Sequence, residues 1–209
     1  MRVEGRAIEW LERHTTAARS RHAGDLFLSG RARPTDRALS FLYFLVAAGR
    51  WGAYEDDGHH LAALRAGLER CRPPRAAIDV GTGTGGAAVA VAARFPEARV
   101  VAVDTSPAML YLARRRHPGS RVELRRASAA HLPYPDGTFD LLTVLNAVPE
   151  PEELRRVTQP RAQVLAAATT LGIRPPDSPW VARWLTTGFR RCEAGEVEGG
   201  SWELYERAW

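Results

Sequence analysis

Lysine is absent from this chain of 209 residues, so all 29 of its lysine-or-arginine cations are guanidinium groups. Guanidinium binds phosphate well, and a formal net charge of +5 raises the question of nucleic acid. The arginines are nevertheless spread along the chain, with short runs at 114–116, 125–126, 155–156 and 190–191. No basic run is interleaved with aromatics as a single-strand binder would need. Replacement of lysine throughout reads as coding bias in a GC-rich genome, and nucleic acid is disfavoured as a partner. Cysteine is scarce as well. Cys71 and Cys192 are far apart and form no metal-spaced pair, so the expectation is two buried or half-buried thiols in a reducing cytoplasm, with no signal peptide. Adjacent His59 and His60 have no third ligand at metal spacing, which excludes a metal assignment. Long apolar runs are missing too: the most apolar segment, residues 38–48, falls well short of the roughly 20 residues that span a bilayer, so no membrane partner is expected. With 45% hydrophobic and 25% charged residues, the composition is that of a globular protein with one domain-sized core.

The most informative stretch is 75–104, R-A-A-I-D-V-G-T-G-T-G-G-A-A-V-A-V-A-A-R-F-P-E-A-R-V-V-A-V-D. Ala76, Ala77, Ile78 and Val80 make an apolar run suited to a buried strand and too short for a helix. Gly81, Gly83, Gly85 and Gly86 follow, allowing a sharp turn and close approach of a ligand. Residues 87–94 read as a helix of small residues whose free N–H groups and positive dipole end face that turn. A second strand, 99–103, leads to Asp104 at its carboxyl end, where an acidic side chain suits ribose hydroxyls. This is a nucleoside-binding unit. Gly81, Gly83 and Gly86 also satisfy G-x-G-x-x-G, so the glycines alone leave a dinucleotide open.

Two further features bear on that choice. Asp79 stands two residues before the first glycine, where its charge repels a pyrophosphate and attracts an ammonium or sulfonium. Residues 131–140 read H-L-P-Y-P-D-G-T-F-D and lead into the apolar run 141–145. The acidic D-x-G-x-G-x-G turn, the Asp104 strand end and the L-P-Y-x-x-G-x-F-D segment, in that order, resemble the class I S-adenosylmethionine-dependent methyltransferases over residues 75–170. The resemblance implies S-adenosyl-L-methionine as cofactor. It places Asp79, Gly81, Thr82, Gly83 and Gly85 at the methionine part, Asp104 and Thr105 at the ribose, and Met109, Ser128 and Ala129 at the adenine. Asn146 would line the transfer site, and Tyr54, with Trp51 beside it in the polar segment 51–60, would reach the cofactor from helices ahead of the first strand. The family usually has an acidic residue where this chain has Ser128, whose hydroxyl accepts a weaker hydrogen bond.

The remainder supplies the frame. Helices are expected in residues 1–24, at about 35–49, at about 59–71 and at 179–187, and strands at 121–127, 139–145 and 163–170. A helix begins at Pro151, and residues 189–193 and 201–209 form a closing antiparallel pair around 195–200. The family's P-G-G turn before strand five is replaced by Gln159-Pro160-Arg161-Ala162. The expected architecture is α/β: a Rossmann-like three-layer sandwich with a seven-stranded, mostly parallel sheet, an antiparallel last strand and an N-terminal helical lid. Residues 1–74 are the lid and 75–209 the cofactor-binding core of one structural domain.

The function expected is methyl transfer to an oxygen, nitrogen or carbon nucleophile of a small molecule by a monomer or homodimer. Neither the N-P-P-Y of amino-group methyltransferases nor the aspartates of metal-dependent catechol-type enzymes follow Asn146. A general base is needed only if the acceptor loses a proton, and the catalytic candidates are His131 and Asn146. Two alternatives stay open: the methyltransferase fold running a non-methyl-transfer reaction such as a cyclisation, and an RNA methyltransferase.

Overall fold

A computed structural model of the chain describes residues 60–147, 150–169 and 187–208. Its elements in order are α1 (Ala62–Leu68), β1 (Ala76–Val80), α2 (Gly86–Arg94), β2 (Arg99–Asp104), α3 (Pro107–Arg116), β3 (Glu123–Arg126), β4 (Phe139–Leu145), α4 (Pro151–Val157), β5 (Thr158–Thr169), β6 (Phe189–Val197) and β7 (Gly200–Arg207). They build one seven-stranded sheet in the order β3-β2-β1-β4-β5-β7-β6. Strands β1 to β5 pair in parallel, and β7 runs antiparallel to both β5 and β6. The Rossmann-like expectation holds. The expected helices within residues 1–59 and over 179–187, with Trp51, Tyr54 and His59, lie wholly or almost wholly outside the described residues.

Strand alternation sorts the core into two layers. Ala77, Val100, Ala102, Leu141 and Leu165 face α1 and α2, joined by Leu64, Leu68, Ala88 and Val91. Ile78, Val80, Val101, Val103, Leu142 and Val164 face the opposite side, against Leu132, Tyr134, Leu154 and Val157. Small residues along α2 let it lie close on the sheet, and Gly67 of α1 sits where a Cβ would meet the Leu165 side chain at 2.4 Å. The start of β1 is latched by Asp140, whose carboxylate accepts from the Arg75 and Ala76 N–H groups at 2.9–3.1 Å.

Three boundaries differ from the sequence reading, each for a local reason. Strand three is Glu123–Arg126, because Arg121 turns its guanidinium to the carbonyls of Ala92 and Phe95 and so caps the end of α2. The closing pair is longer than expected, with only residues 198 and 199 between strands and Gly199 at φ 92°. Gly195 lies inside β6, where a Cβ would stand 2.8 Å from the Trp202 indole. Strand five begins at Thr158 and carries an irregularity, as the pairing jumps from Phe139↔Thr158 to Leu141↔Gln163.

Arg161 sits in that irregularity at φ 65°. This left-handed conformation costs an L-residue roughly 1–2 kcal/mol, against about 1 kcal/mol for the extra freedom glycine loses on folding. Arg161→Gly is therefore expected to raise stability by up to about 1 kcal/mol, and β-branched Arg161→Val to lower it. Urea denaturation midpoints check both, and equal midpoints for the two variants would refute the account.

Candidate functional site

The strand order reverses between β1 and β4, and in open α/β sheets ligands lie beyond the carboxyl ends of strands at such a switch point. Three glycines there have positive φ: Gly81 at 75°, Gly83 at 55° and Gly85 at 92°. Each does something different. A Cβ on Gly81 would stand 2.6 Å from that of Ala147 beyond β4, so glycine is what lets the two strand ends close together. A Cβ on Gly85 would press Ala113 at 3.1 Å and His117 at 3.3 Å, where α3 packs on the start of α2. A Cβ on Gly83 would meet nothing within 4 Å among the described residues, so the turn leaves its backbone open toward them at that point.

Asp104 ties this turn to the end of β2. Its Oδ2 accepts from the Gly83 N–H at 2.9 Å and its Oδ1 from the Ser106 N–H at 2.8 Å. Gly81 and Thr82 donate their N–H groups to the Val103 carbonyl at 2.9 and 3.0 Å. Each carboxylate oxygen retains capacity for a further donor. Burial pushes the Asp104 carboxyl above its ordinary 3.8, partly offset by the N–H groups of Ser106, Gly83 and Thr105. Ser106 caps α3, its Oγ accepting from the Met109 N–H at 3.3 Å, and Pro107 fills the first helical position.

Asp79 is buried on the α1–α2 side of β1, where its register partner Thr143 donates to Oδ1 at 2.7 Å. Thr82 is also buried, and its hydroxyl oxygen has no hydrogen-bond partner among the described residues. An unsatisfied buried hydroxyl costs about 1–3 kcal/mol, so this oxygen is suited to a polar ligand group. Asn146 closes β4 at φ 53°, a conformation asparagine tolerates better than most residues. Its Oδ1 accepts from the Thr169 N–H at 2.9 Å and its Nδ2 donates to Thr169 Oγ1 at 3.2 Å, binding the ends of β4 and β5.

At the β3 end, Ser128 is exposed and its Oγ accepts from the Ala130 N–H at 3.2 Å within its own turn. Ala129 packs against the second core layer, Met109 is buried, and Thr105 is exposed with its carbonyl held by Arg126 at 3.2 Å. His131 is exposed, bridged to Ser128 through its backbone. It follows β3 on the segment held by α4, where it acts on the Glu153 carboxyl, while Asn146 ends β4 and is bound to Thr169. The sheet edge collects Asp79, the glycine turn, Asp104 and Asn146; Tyr54 lies outside the described residues.

Sequence reasoning missed Thr143, Thr169 and Arg156. Thr143 was detectable as the one polar residue in the buried run L-L-T-V-L. Arg156 braces the segment after β3, donating to the carbonyls of Leu132 at 2.9 Å and Tyr134 at 2.8 Å and to Asp136 and Glu153. Glu153 in turn accepts from the Leu132 N–H at 2.6 Å. Hydrogen bonding to Arg156 holds the Glu153 carboxyl below its ordinary value. No group of three or more potential metal ligands occurs among the described residues.

Residues 77–167 match the family model described as a methyltransferase domain. Demethylmenaquinone methyltransferase of Thermus thermophilus is 41% identical over 75 residues, which are 35% of this chain and 34% of that protein. Trans-aconitate 2-methyltransferase of Methylobacterium radiotolerans is 37% identical over 129 residues, 60% of this chain and 47% of the relative. The chain thus spans between a third and a half of the length of these curated relatives. Among solved structures, a SAM dependent methyltransferase from Aquifex aeolicus superposes with a TM-score of 0.57 at 20% identity, over 71% of this chain and 90% of that one. The matched residues run from β1 into β5, so the methyltransferase domain model falls on the part of the sheet that carries the switch point.

Proposed function

We propose that the protein transfers a methyl group from S-adenosyl-L-methionine to an oxygen, nitrogen or carbon nucleophile of a small molecule. The observation that carries this reading is the Asp79–glycine turn–Asp104 arrangement at the switch point. Its donor set fits the cofactor: a half-buried carboxylate with acceptor capacity for ribose hydroxyls, backbone open among the described residues at Gly83, a buried Thr82 hydroxyl with no partner among them, and the buried carboxyl group of Asp79. When bound, the cofactor supplies a methyl on a sulfonium, which departs as a neutral thioether.

Asp104 and Thr105 hold the ribose; Met109, Ser128 and Ala129 border the adenine; Asp79, Gly81, Thr82, Gly83 and Gly85 take the methionine part. Asn146, fixed by Thr169, shapes the place of transfer and does not exchange protons. Tyr54 contributes from a lid formed by residues ahead of α1; α1 itself belongs to the core, with Leu64 and Leu68 buried against the sheet. Rate then comes mainly from alignment of nucleophile, methyl and sulfur, with no dedicated base required of the core. The names of the relatives, acting on a quinone precursor and on aconitate, support a modest acceptor rather than nucleic acid. The reading includes a cytoplasmic monomer or homodimer; no helix among the described residues is long and apolar enough to cross a membrane.

Calorimetric titration with S-adenosyl-L-methionine, followed by mass spectrometry of phenolic, amine and carboxylate acceptors, tests the reading. Binding with a product about 14 mass units heavier is expected (CH₃ in place of H, a net gain of CH₂). Binding without turnover on any acceptor would favour a non-methyl-transfer reaction on the same fold, and no binding would refute the cofactor assignment.

A further inference from the structure

The fold changes how the arginines are read. Residues 105–135 hold six arginines against the single carboxylate of Glu123, a balance of +5 that equals the formal net charge of the whole chain. Three fall on α3, two on β3, the outermost strand at one edge of the sheet, and Arg121 on the turn between them. Three of the six make contacts within the chain outside α3: Arg121 caps α2, Arg125 pairs with Glu123 at 2.8 Å, and Arg126 donates from Nε to the Thr105 carbonyl at 3.2 Å. Arg114, Arg115 and Arg126 are exposed, and Arg114 shares the cleft between α3 and β3 with Val122 and Leu124. Beside them stands Tyr111, 56% exposed and the one exposed large hydrophobic side chain among the described residues. Positions 111, 114 and 115 follow the i, i+3, i+4 spacing of one helix face. Arg115 lies over the Tyr111 ring at 5.8 Å and donates to its hydroxyl at 3.2 Å.

We propose that this face of α3, with Arg126 of β3, docks an acidic protein that sets carboxylates around the Tyr111 ring. Tyrosine and arginine are the residue types that dominate the energy of protein interfaces, typically as an aromatic anchor with a polar rim. Opposite charge on the partner speeds encounter and fixes orientation. A nucleic-acid surface would present several aromatic platforms along a basic groove, whereas among the described residues a single exposed large ring stands here, with the Arg115 guanidinium over it. Tyr111, Arg114 and Arg115 are not among the residues assigned to the cofactor, and Arg126 reaches that site through the Thr105 carbonyl.

The test is a fluorescence titration of the full chain with three probes: poly-L-glutamate, a 4:1 copolymer of glutamate and tyrosine, and oligouridylate of matched charge. The acidic copolymer is expected to bind best, with an affinity that falls steeply with salt. Arg114→Glu with Arg115→Glu is expected to weaken it about tenfold or more, and Tyr111→Ala to erase the preference for copolymer over polyglutamate. Thermal midpoints and S-adenosyl-L-methionine affinity should be unchanged in both variants, which separates failure here from failure of the methyltransferase reading. Tighter binding of oligouridylate would make the patch a nucleic-acid surface. Insensitivity of all three probes to the charge reversal would make it a solvated face. Either result overturns the proposal.

Discussion

Asp104→Ala is expected to weaken S-adenosyl-L-methionine binding by about a hundredfold or more. Hydrogen bonds from two ribose hydroxyls to a charged acceptor are each worth roughly 1.5–3 kcal/mol, and both are lost. The same change releases the N–H groups of Gly83 and Ser106, so the glycine turn loses its tie to β2. Asp104→Asn does not rescue this, because its amide sets a donor against one of those two N–H donors. Titration calorimetry measures the effect, and an unchanged dissociation constant would remove Asp104 from the ribose. The carboxyl also predicts a pH dependence. Only its ionised form accepts from both hydroxyls, and burial raises its folded value above 3.8. Affinity should therefore fall as pH drops through that raised value, sooner than for an ordinary carboxylate, by about tenfold per pH unit once below it. For folding of the free protein the same shift acts in the opposite direction. Asp104's stabilising contribution is full below 3.8 and is lost as pH rises through the folded value.

Arg156→Ala is expected to lower stability by about 2–4 kcal/mol, since it deprives two carbonyls and the Glu153 carboxylate of their donor at once. The half-exposed contact to Asp136 adds little. Leu132 and Tyr134, which cover the second core layer, hang on the segment that Arg156 braces. Arg156→Lys recovers only part of the loss, because an ammonium cannot reproduce the planar fork. The advantage of the arginine should depend on pH through Glu153, whose folded value lies below 4.5. It is present above 4.5 and disappears as pH falls through the depressed value. Denaturation curves at neutral and acid pH check both points; equal differences at the two would mean that Glu153 is not the partner that matters.

The glycine turn, Asp79 and Asp104 were legible in the sequence because a strand–turn–helix–strand unit writes its site within 30 residues of local spacing. The sheet followed from apolar runs and their turn residues. Thr143 and Asp79 are 64 positions apart, and Asn146 and Thr169 are 23, so these pairs exist only once β1, β4 and β5 are in register. The Arg156 brace is of the same kind, as its targets lie 22 and 24 residues away. Arg161 shows a different limit. Its position in place of a family glycine was visible, but its positive φ follows from the path the chain takes between α4 and the core of β5. The arginines looked scattered because a linear count cannot see that α3 and β3 are neighbours.

The hydrogen bonds inside the glycine turn have a consequence for how quickly a ligand is received. Gly81, Thr82 and Gly83 give their N–H groups to Val103 and Asp104, so β2 shapes the loop before any small molecule arrives. A site assembled in advance pays no entropy to order itself on contact. Capture is then governed by diffusion and by whatever covers the sheet edge, and the turn itself acts as a fixed mould.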